Sequence, residues 1–78
     1  MSKALFNRIT VNPKICHGKP CIRNTRIMVE SILEYLAGGD TIDDILEEFP
    51  DLEREDVLAC ISYANNILKF KSTSFKVA

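Results

Sequence analysis

From residue 29 onward, apolar residues recur with the spacing i, i+3, i+4, i+7 that places them on one face of a helix. The pattern occurs three times, at residues 29–36, 42–49 and 57–68. Gly38-Gly39 separates the first two segments, and Pro50 separates the second from the third. Because each segment has a single apolar face, the three faces are expected to pack together as a small three-helix bundle.

Polar residues at the predicted helix starts support these boundaries. Thr41 and Asp44 have the spacing of a capping box before the second helix. Acidic residues, including Glu53, occupy the predicted first turn of the third helix, where they interact favourably with the helix dipole. We predict that this helix ends at about Lys69–Phe70. Its apolar stripe, expected to lie in the core, consists of Val57, Leu58, Ile61, Ala64, Ile67 and Leu68.

The first 28 residues instead show short extended segments interrupted by turns. Residues 8–11 contain alternating β-branched side chains, and the Asn12-Pro13 pair ends this segment. Residues 21–23 form a second extended segment after a turn at 17–20. Asn24 predicts another turn, because asparagine tolerates the left-handed backbone conformation. Two or three short strands in a hairpin-like arm are therefore predicted.

The predicted fold is mainly α, with a short N-terminal β arm followed by a three-helix, homeodomain-like or helix-turn-helix bundle. We expect the 78 residues to form a single domain, with a β arm at 1–28, a helical body at 29–70 and a tail at 71–78. The composition, 46% apolar and 27% charged, is typical of a globular chain. Because so short a chain buries a small core, a homodimer is expected.

The sequence also suggests a compartment. Residues 1–8 lack the apolar segment of a secretory signal, and the longest apolar run, residues 57–61, is too short to cross a bilayer. Three cysteines is an odd number, which favours reduced thiols. We therefore expect a cytoplasmic protein without membrane contact.

Charge is strongly segregated along the chain, although the formal net charge is only -1. Residues 1–29 contain six Lys or Arg residues and no Asp or Glu. All eleven acidic residues lie between Glu30 and Asp56, where Arg54 is the only cation. Such segregation bears on partners more than on fold. It favours a binding module over an enzyme.

Cys16, His17 and Cys21 suggest a metal site or a nucleophile, but the signal is weak. Zinc requires four ligands, and the fourth would be the distant Cys60 or an acidic residue. A Cys–His nucleophile requires an orienting third group, and the sequence does not identify one. The favoured interpretation is that the three cysteines are small apolar groups and that His17 is a turn residue. No metal, cofactor or catalytic residue is therefore predicted.

The most distinctive segment of the chain, residues 15–27, reads ICHGKPCIRNTRI. It is followed by an amphipathic helix, a double glycine, an acidic helix ending in FPDL, and EDV at the start of the last helix. In this order, over roughly residues 9–68, these motifs resemble the bacterial domain of unknown function family 433. The resemblance implies a homeodomain-like fold. It also implies a link to type II toxin–antitoxin pairs, since some members are regarded as antitoxins of PIN-like nuclease toxins.

Three positions depart from the family pattern. Asn24 replaces a usual glycine, a modest change because asparagine also accepts positive φ. Met28 replaces a usual proline that would preset the first helical turn. Glu53 replaces a hydroxyl residue that would cap the third helix, so a weaker cap is expected there.

The resemblance implies an antitoxin-like protein that covers the catalytic face of a PIN-like toxin and possesses a second contact for operator DNA. Acidic side chains can occupy the basic substrate groove of a nuclease. The residues predicted to contact the partner protein are Glu47, Glu48, Glu55 and Asp56. The alternatives are a stand-alone DNA-binding regulator and a structural dimer module.

The predicted third helix is poorly suited to bind the DNA major groove, because three carboxylates at its start repel the phosphates. The basic arm is the better candidate surface. Its cations could pair with acidic helices of the same chain or a dimer mate, bind operator phosphates, or bind an acidic face of a toxin. The residues predicted for contact with DNA or another anion are Lys14, Lys19, Arg23, Arg26 and Arg54.

Overall fold

The computed structural model describes residues 7–72, and the side chains of 7–70, as a two-stranded arm followed by three helices. The strands are β1, Ile9–Thr10, and β2, Cys21–Ile22, with a short 3-10 turn at Cys16–Gly18 between them. The helices are α1, Val29–Ala37, α2, Ile42–Glu48, and α3, Arg54–Ser72. The predicted mainly α fold with a short β arm is confirmed. Of the predicted tail, residues 73–78 lie outside the described residues, and residues 71–72 end α3.

The arm is a minimal antiparallel hairpin with β2 at its centre. Ile9 pairs with Ile22 and Thr10 with Cys21. On its other side, Cys21 forms a single β-bridge with Met28. The third predicted strand is thus reduced to one bridge, and it leads directly into α1.

Two turns in the arm use left-handed backbone. Cys16, His17 and Gly18 have φ values of 53°, 58° and 80°, and the Gly18 N–H donates to the Ile15 carbonyl over 3.0 Å. Asn24, at φ 62°, adopts the conformation predicted for its turn. For residues other than glycine, this conformation costs about 1–2 kcal/mol each. The surrounding hydrogen bonds must therefore hold Cys16 and His17 in place.

The core lies between the arm and the three helices. One residue of β2, two of α1, one of α2 and two of α3 meet there, together with Leu52 from the α2–α3 turn. At its edge, the rings of Tyr35 and Phe49 pack in a T-shaped contact with centroids 5.6 Å apart. The buried cluster consists of Ile22, Val29, Ile32, Ile45, Leu52, Val57 and Cys60.

The predicted capping box at the start of α2 is confirmed. The Thr41 N–H donates to Asp44 Oδ2 over 2.9 Å, and the Asp44 N–H donates to Thr41 Oγ1 over 3.1 Å. The bond from the Thr41 backbone lowers the pKa of Asp44, because it favours the charged carboxylate. The box fixes where α2 begins after Gly39.

The prediction that the whole apolar stripe of α3 is core is wrong for three residues. Ile61, Ile67 and Leu68 are 41%, 42% and 65% exposed. The reason is length, since a 19-residue helix spans about 28 Å, whereas α1 and α2 have only 9 and 7 residues. The second half of α3 therefore extends beyond the body, and residues 65–70 are all exposed.

None of the helices formed by residues 7–72 is long and apolar enough to cross a membrane.

Candidate functional site

Arg8 ties the β arm to the start of α3. Its Nη1 atom donates to Glu53 Oε1 over 2.8 Å and to Asp56 Oδ1 over 2.9 Å. These bonds, that to Glu53 first, raise the pKa of Arg8. The Arg8 carbonyl also accepts from the Arg23 N–H over 2.8 Å, which holds Arg8 beside the hairpin. Arg8 was not among the residues predicted for a site, and it joins the basic and acidic parts of the chain.

Asp56 has a structural environment that differs from its predicted role in partner contact. It is only 6% exposed, and each of its carboxylate oxygens accepts a bond from within the chain. Oδ2 accepts from the Glu53 N–H over 2.8 Å, which caps α3 in place of the missing hydroxyl residue. Asp56 therefore organises the start of α3 and is not available as a surface charge.

A second ion pair joins the arm to α1. Lys19 Nζ lies 3.2 Å from Glu30 Oε1, and both side chains are about half exposed. Such a solvated pair adds little stability, because water screens it and two long side chains must be ordered. Lys19 and Arg8 thus show one expected fate of the basic arm, pairing with acidic residues of the same chain.

The remaining predicted cations of the arm form what we call the cationic turn face: Lys14, Arg23 and Arg26. All three are exposed, and they form no ion pair with any described residue. Arg23 and Arg26 flank a turn in which Thr25 Oγ1 donates to the Ile22 carbonyl over 2.7 Å. This hydroxyl also accepts from the Ile27 N–H over 3.0 Å, so the backbone between the two arginines is well fixed.

A cavity of about 430 Å³ lies on one side of this turn, and one of about 660 Å³ lies on the other. The first brings Arg23 beside Arg8 and the acidic start of α3, whereas the second contains Arg26 as its charged residue. Because Arg26 and no carboxylate lines the second cavity, an anion can approach it more favourably. Its lining residues are Thr10, Asn12, Ile15, Asn24, Thr25 and Arg26.

We call the predicted partner-contact residues other than Asp56 the acidic edge: Glu47, Glu48 and Glu55. All three are exposed, and no described cation pairs with them. Glu47 and Glu48 end α2, and no basic residue lies in its last turn. Negative charge at a helix C-terminus is unfavourable, because the dipole is negative at that end. Local helix stability therefore does not explain these two glutamates.

Arg54 begins α3 directly beside Glu55. It is exposed and has no ion-pair partner among the described residues. Its neighbours Glu53 and Asp56 carry negative charge, so the start of α3 does not provide a cationic surface. Arg54, which was predicted to contact DNA, is therefore not part of the cationic turn face.

Cys16, His17 and Cys21 do not come together as a group of three metal ligands. The Cys16 thiol lies within hydrogen-bonding reach of the Cys21 thiol, and its Sγ lies 3.3 Å from the Arg26 carbonyl oxygen. His17 is exposed in its left-handed turn. Among the side chains of residues 7–70, no three His, Cys, Asp or Glu residues are grouped to hold a metal ion.

Burial explains why the Cys21 and Cys60 thiols are protonated. Burial raises the pKa of Cys21 to about 11 and that of Cys60 to about 12. The Cys16 thiol contributes to the shift at Cys21, and the Asp56 charge contributes to that at Cys60. Both buried groups are protonated near neutral pH and fill space as small apolar side chains, as predicted.

Fold and surface together define a class, a small mainly helical domain that presents separate cationic and acidic surfaces. Comparison with known families gives the specific assignment. The profile of the family described as "Protein of unknown function (DUF433)" matches residues 9–64. The chain belongs to this family, and the resemblance noted in the sequence is confirmed.

The chain is also similar to two other proteins, one of which is described as a DUF433 member. The chain is 32% identical over 56 residues to "Uncharacterized protein y4eO" of Sinorhizobium fredii (strain NBRC 101917 / NGR234). That match covers 72% of this chain, which spans about a quarter (25%) of the relative's length. The crystal structure of a DUF433 member from Anabaena variabilis ATCC 29413 has a TM-score of 0.76 and 30% identity. The structural match covers 92% of this chain and 71% of the Anabaena chain.

Proposed function

We propose that this chain is a non-enzymatic, cytoplasmic binding module, the antitoxin-like component of a type II toxin–antitoxin pair. In this role, it binds a PIN-like nuclease through the acidic edge and blocks the nuclease's substrate groove. The toxin-related part of the proposal derives from the family resemblance. The surface that carries it derives from the structure.

The observation that supports the proposal best is the position of Glu47 and Glu48. Both are exposed at the C-terminal end of α2, where the helix dipole disfavours them and no described cation offsets them. Arg8, which reaches the neighbouring start of α3, is already bound to Glu53 and Asp56. An external cationic surface would supply the missing compensation.

A nuclease groove that binds RNA phosphates has the complementary charge. Carboxylates held on a folded edge can replace phosphates there, and electrostatic attraction speeds the encounter at low salt. Inhibition would then be steric, because the folded domain covers the groove. No group of this chain needs to take part in a chemical step.

The test compares how the unaltered protein and a variant with a neutral acidic edge inhibit a purified PIN-like nuclease. In Glu47→Gln/Glu48→Gln/Glu55→Gln, we expect the inhibition constant to rise at least about tenfold, because three attractive charges are removed. The rise should shrink as salt is added. Residual nuclease activity at several inhibitor concentrations measures the effect.

A matched control removes the same number of exposed charges elsewhere, as Glu34→Gln/Asp40→Asn/Asp43→Asn. It should inhibit nearly as well as the unaltered protein. Equal inhibition by the two triple variants would show that the acidic edge is not the contact surface.

The second candidate function is binding of operator DNA by the cationic turn face. It is favoured by the exposure of Lys14, Arg23 and Arg26 without a described ion-pair partner. In a gel shift with the upstream DNA, Arg23→Ala/Arg26→Ala should weaken binding and reduce the salt slope by about 2. Absence of any shift for the unaltered protein at low salt would eliminate this function.

A further inference from the structure

One side of α3 presents an apolar seam that the described part of the domain covers only in part. Leu58, Ile61, Asn65 and Leu68 line one groove of about 520 Å³, together with Leu33 of α1, Ser62 and Ala64. The spacing of the first four, three, four and three residues apart, is that of the a and d positions of a coiled coil. Leu58 and Asn65 occupy a, and Ile61 and Leu68 occupy d.

We propose that this seam is the interface of a homodimer in which α3 of one copy packs antiparallel against α3 of a second copy. In the alignment that we infer, Leu58 of each copy faces Leu68 of the other. Ile61 faces Asn65 at the centre. The pairing has four layers, and both copies contribute the same surface of α3, as a two-fold interface requires.

The charges along α3 indicate that a second copy of this chain occupies the seam, and they set the relative direction of the two helices. The e positions beside the seam are Glu55, Ser62 and Lys69, so negative charge lies at one end and positive charge at the other. In the antiparallel alignment, Glu55 of each copy lies near Lys69 of the other. In a parallel pair, Glu55 and Lys69 would remain about 21 Å apart along the axis. Lys69 already has a contact in its own chain, and its three donor hydrogens leave room for another.

Asn65 gives the pairing its register. A polar residue at a core position of a coiled coil lowers stability but helps to specify the register of the two helices. Here it lies at the centre of the seam, near the two-fold axis and beside the small side chain of Ser62. Ala64, on the other flank, allows the two helices to approach closely.

This interface is separate from the surfaces of the proposed function, except that Glu55 belongs to both. The two ideas can therefore fail independently. Variants at Leu68 and Asn65 test the dimer without altering the acidic edge. A Glu47→Gln/Glu48→Gln variant tests nuclease binding without altering the seam.

The experiment is sedimentation equilibrium of the full chain across about 10 µM to 1 mM. The unaltered protein should approach twice the chain mass as concentration rises. Leu68→Glu should raise the dimer dissociation constant at least about tenfold, because it buries a charge in an apolar layer. Asn65→Leu should lower that constant severalfold. Val11→Glu is the control, since Val11 is 58% exposed and is not part of the seam.

Charge exchange tests the direction of the helices. Glu55→Lys and Lys69→Glu should each weaken the dimer, and the double variant should recover most of the lost affinity. A chain that stays monomeric at 1 mM, or an equal effect of Leu68→Glu and Val11→Glu, would overturn the interface. Failure of the double variant to recover would overturn the antiparallel arrangement.

Discussion

Replacing Ile32 by alanine is expected to lower the free energy of unfolding by about 2–5 kcal/mol. Ile32 is completely buried at the centre of the core, where α1 meets α2 and α3. The truncation removes apolar contacts and leaves a cavity that neighbouring side chains fill only in part. Because small domains have about 5–15 kcal/mol of total stability, a large share would be lost. Urea denaturation followed by circular dichroism measures the change.

Val11→Ala provides the matched control for this experiment. It also truncates a β-branched side chain, but Val11 is mostly exposed. We expect its free energy of unfolding to change by less than about 0.5 kcal/mol. An Ile32→Ala protein as stable as this control would contradict the described core.

Asp56→Ala is expected to destabilise the protein by about 2 kcal/mol. The substitution removes the acceptor that caps α3 at the Glu53 N–H and one of the two carboxylates that bind Arg8. It also leaves those donors beside a small apolar group in a partly buried place. Thermal and urea unfolding measure the loss, and the helix signal at low temperature reports on the first turn of α3.

Asp51→Ala serves as the control for Asp56. It lies in the same cavity wall but is exposed and makes no hydrogen bond that involves a described residue. Its removal should change the free energy of unfolding by less than about 0.5 kcal/mol. If Asp56→Ala also falls within that range, the bonds of Asp56 to Arg8 and to the Glu53 N–H do not stabilise the fold measurably.

The three helices could be predicted from the sequence because their signals are local. Apolar spacing identified α1 and α2, and Thr41 with Asp44 marked the start of α2 to the residue. Asn24 likewise indicated its own left-handed turn. In each case, the residues that determine the structure are neighbours along the chain.

The remaining features depend on what lies across from a residue, which periodicity does not reveal. Ile61 and Leu68 match a core pattern, but the body is too short to cover them. Asp56 was expected to face a partner, and only the pairing of β1 with β2 brings Arg8 to it. A separation of 48 residues between Arg8 and Asp56 leaves no local sign of this contact.

The left-handed turn at Cys16–Gly18 limits how the arm can be redesigned. A β-branched side chain at position 17 would crowd a backbone with φ near 58°, whereas asparagine or glycine would fit. Glycine at position 16 would ease the local conformation, but it would also remove the thiol that contacts Cys21. Grafting this loop onto another scaffold would thus require a choice between an easier backbone and the Cys16 thiol.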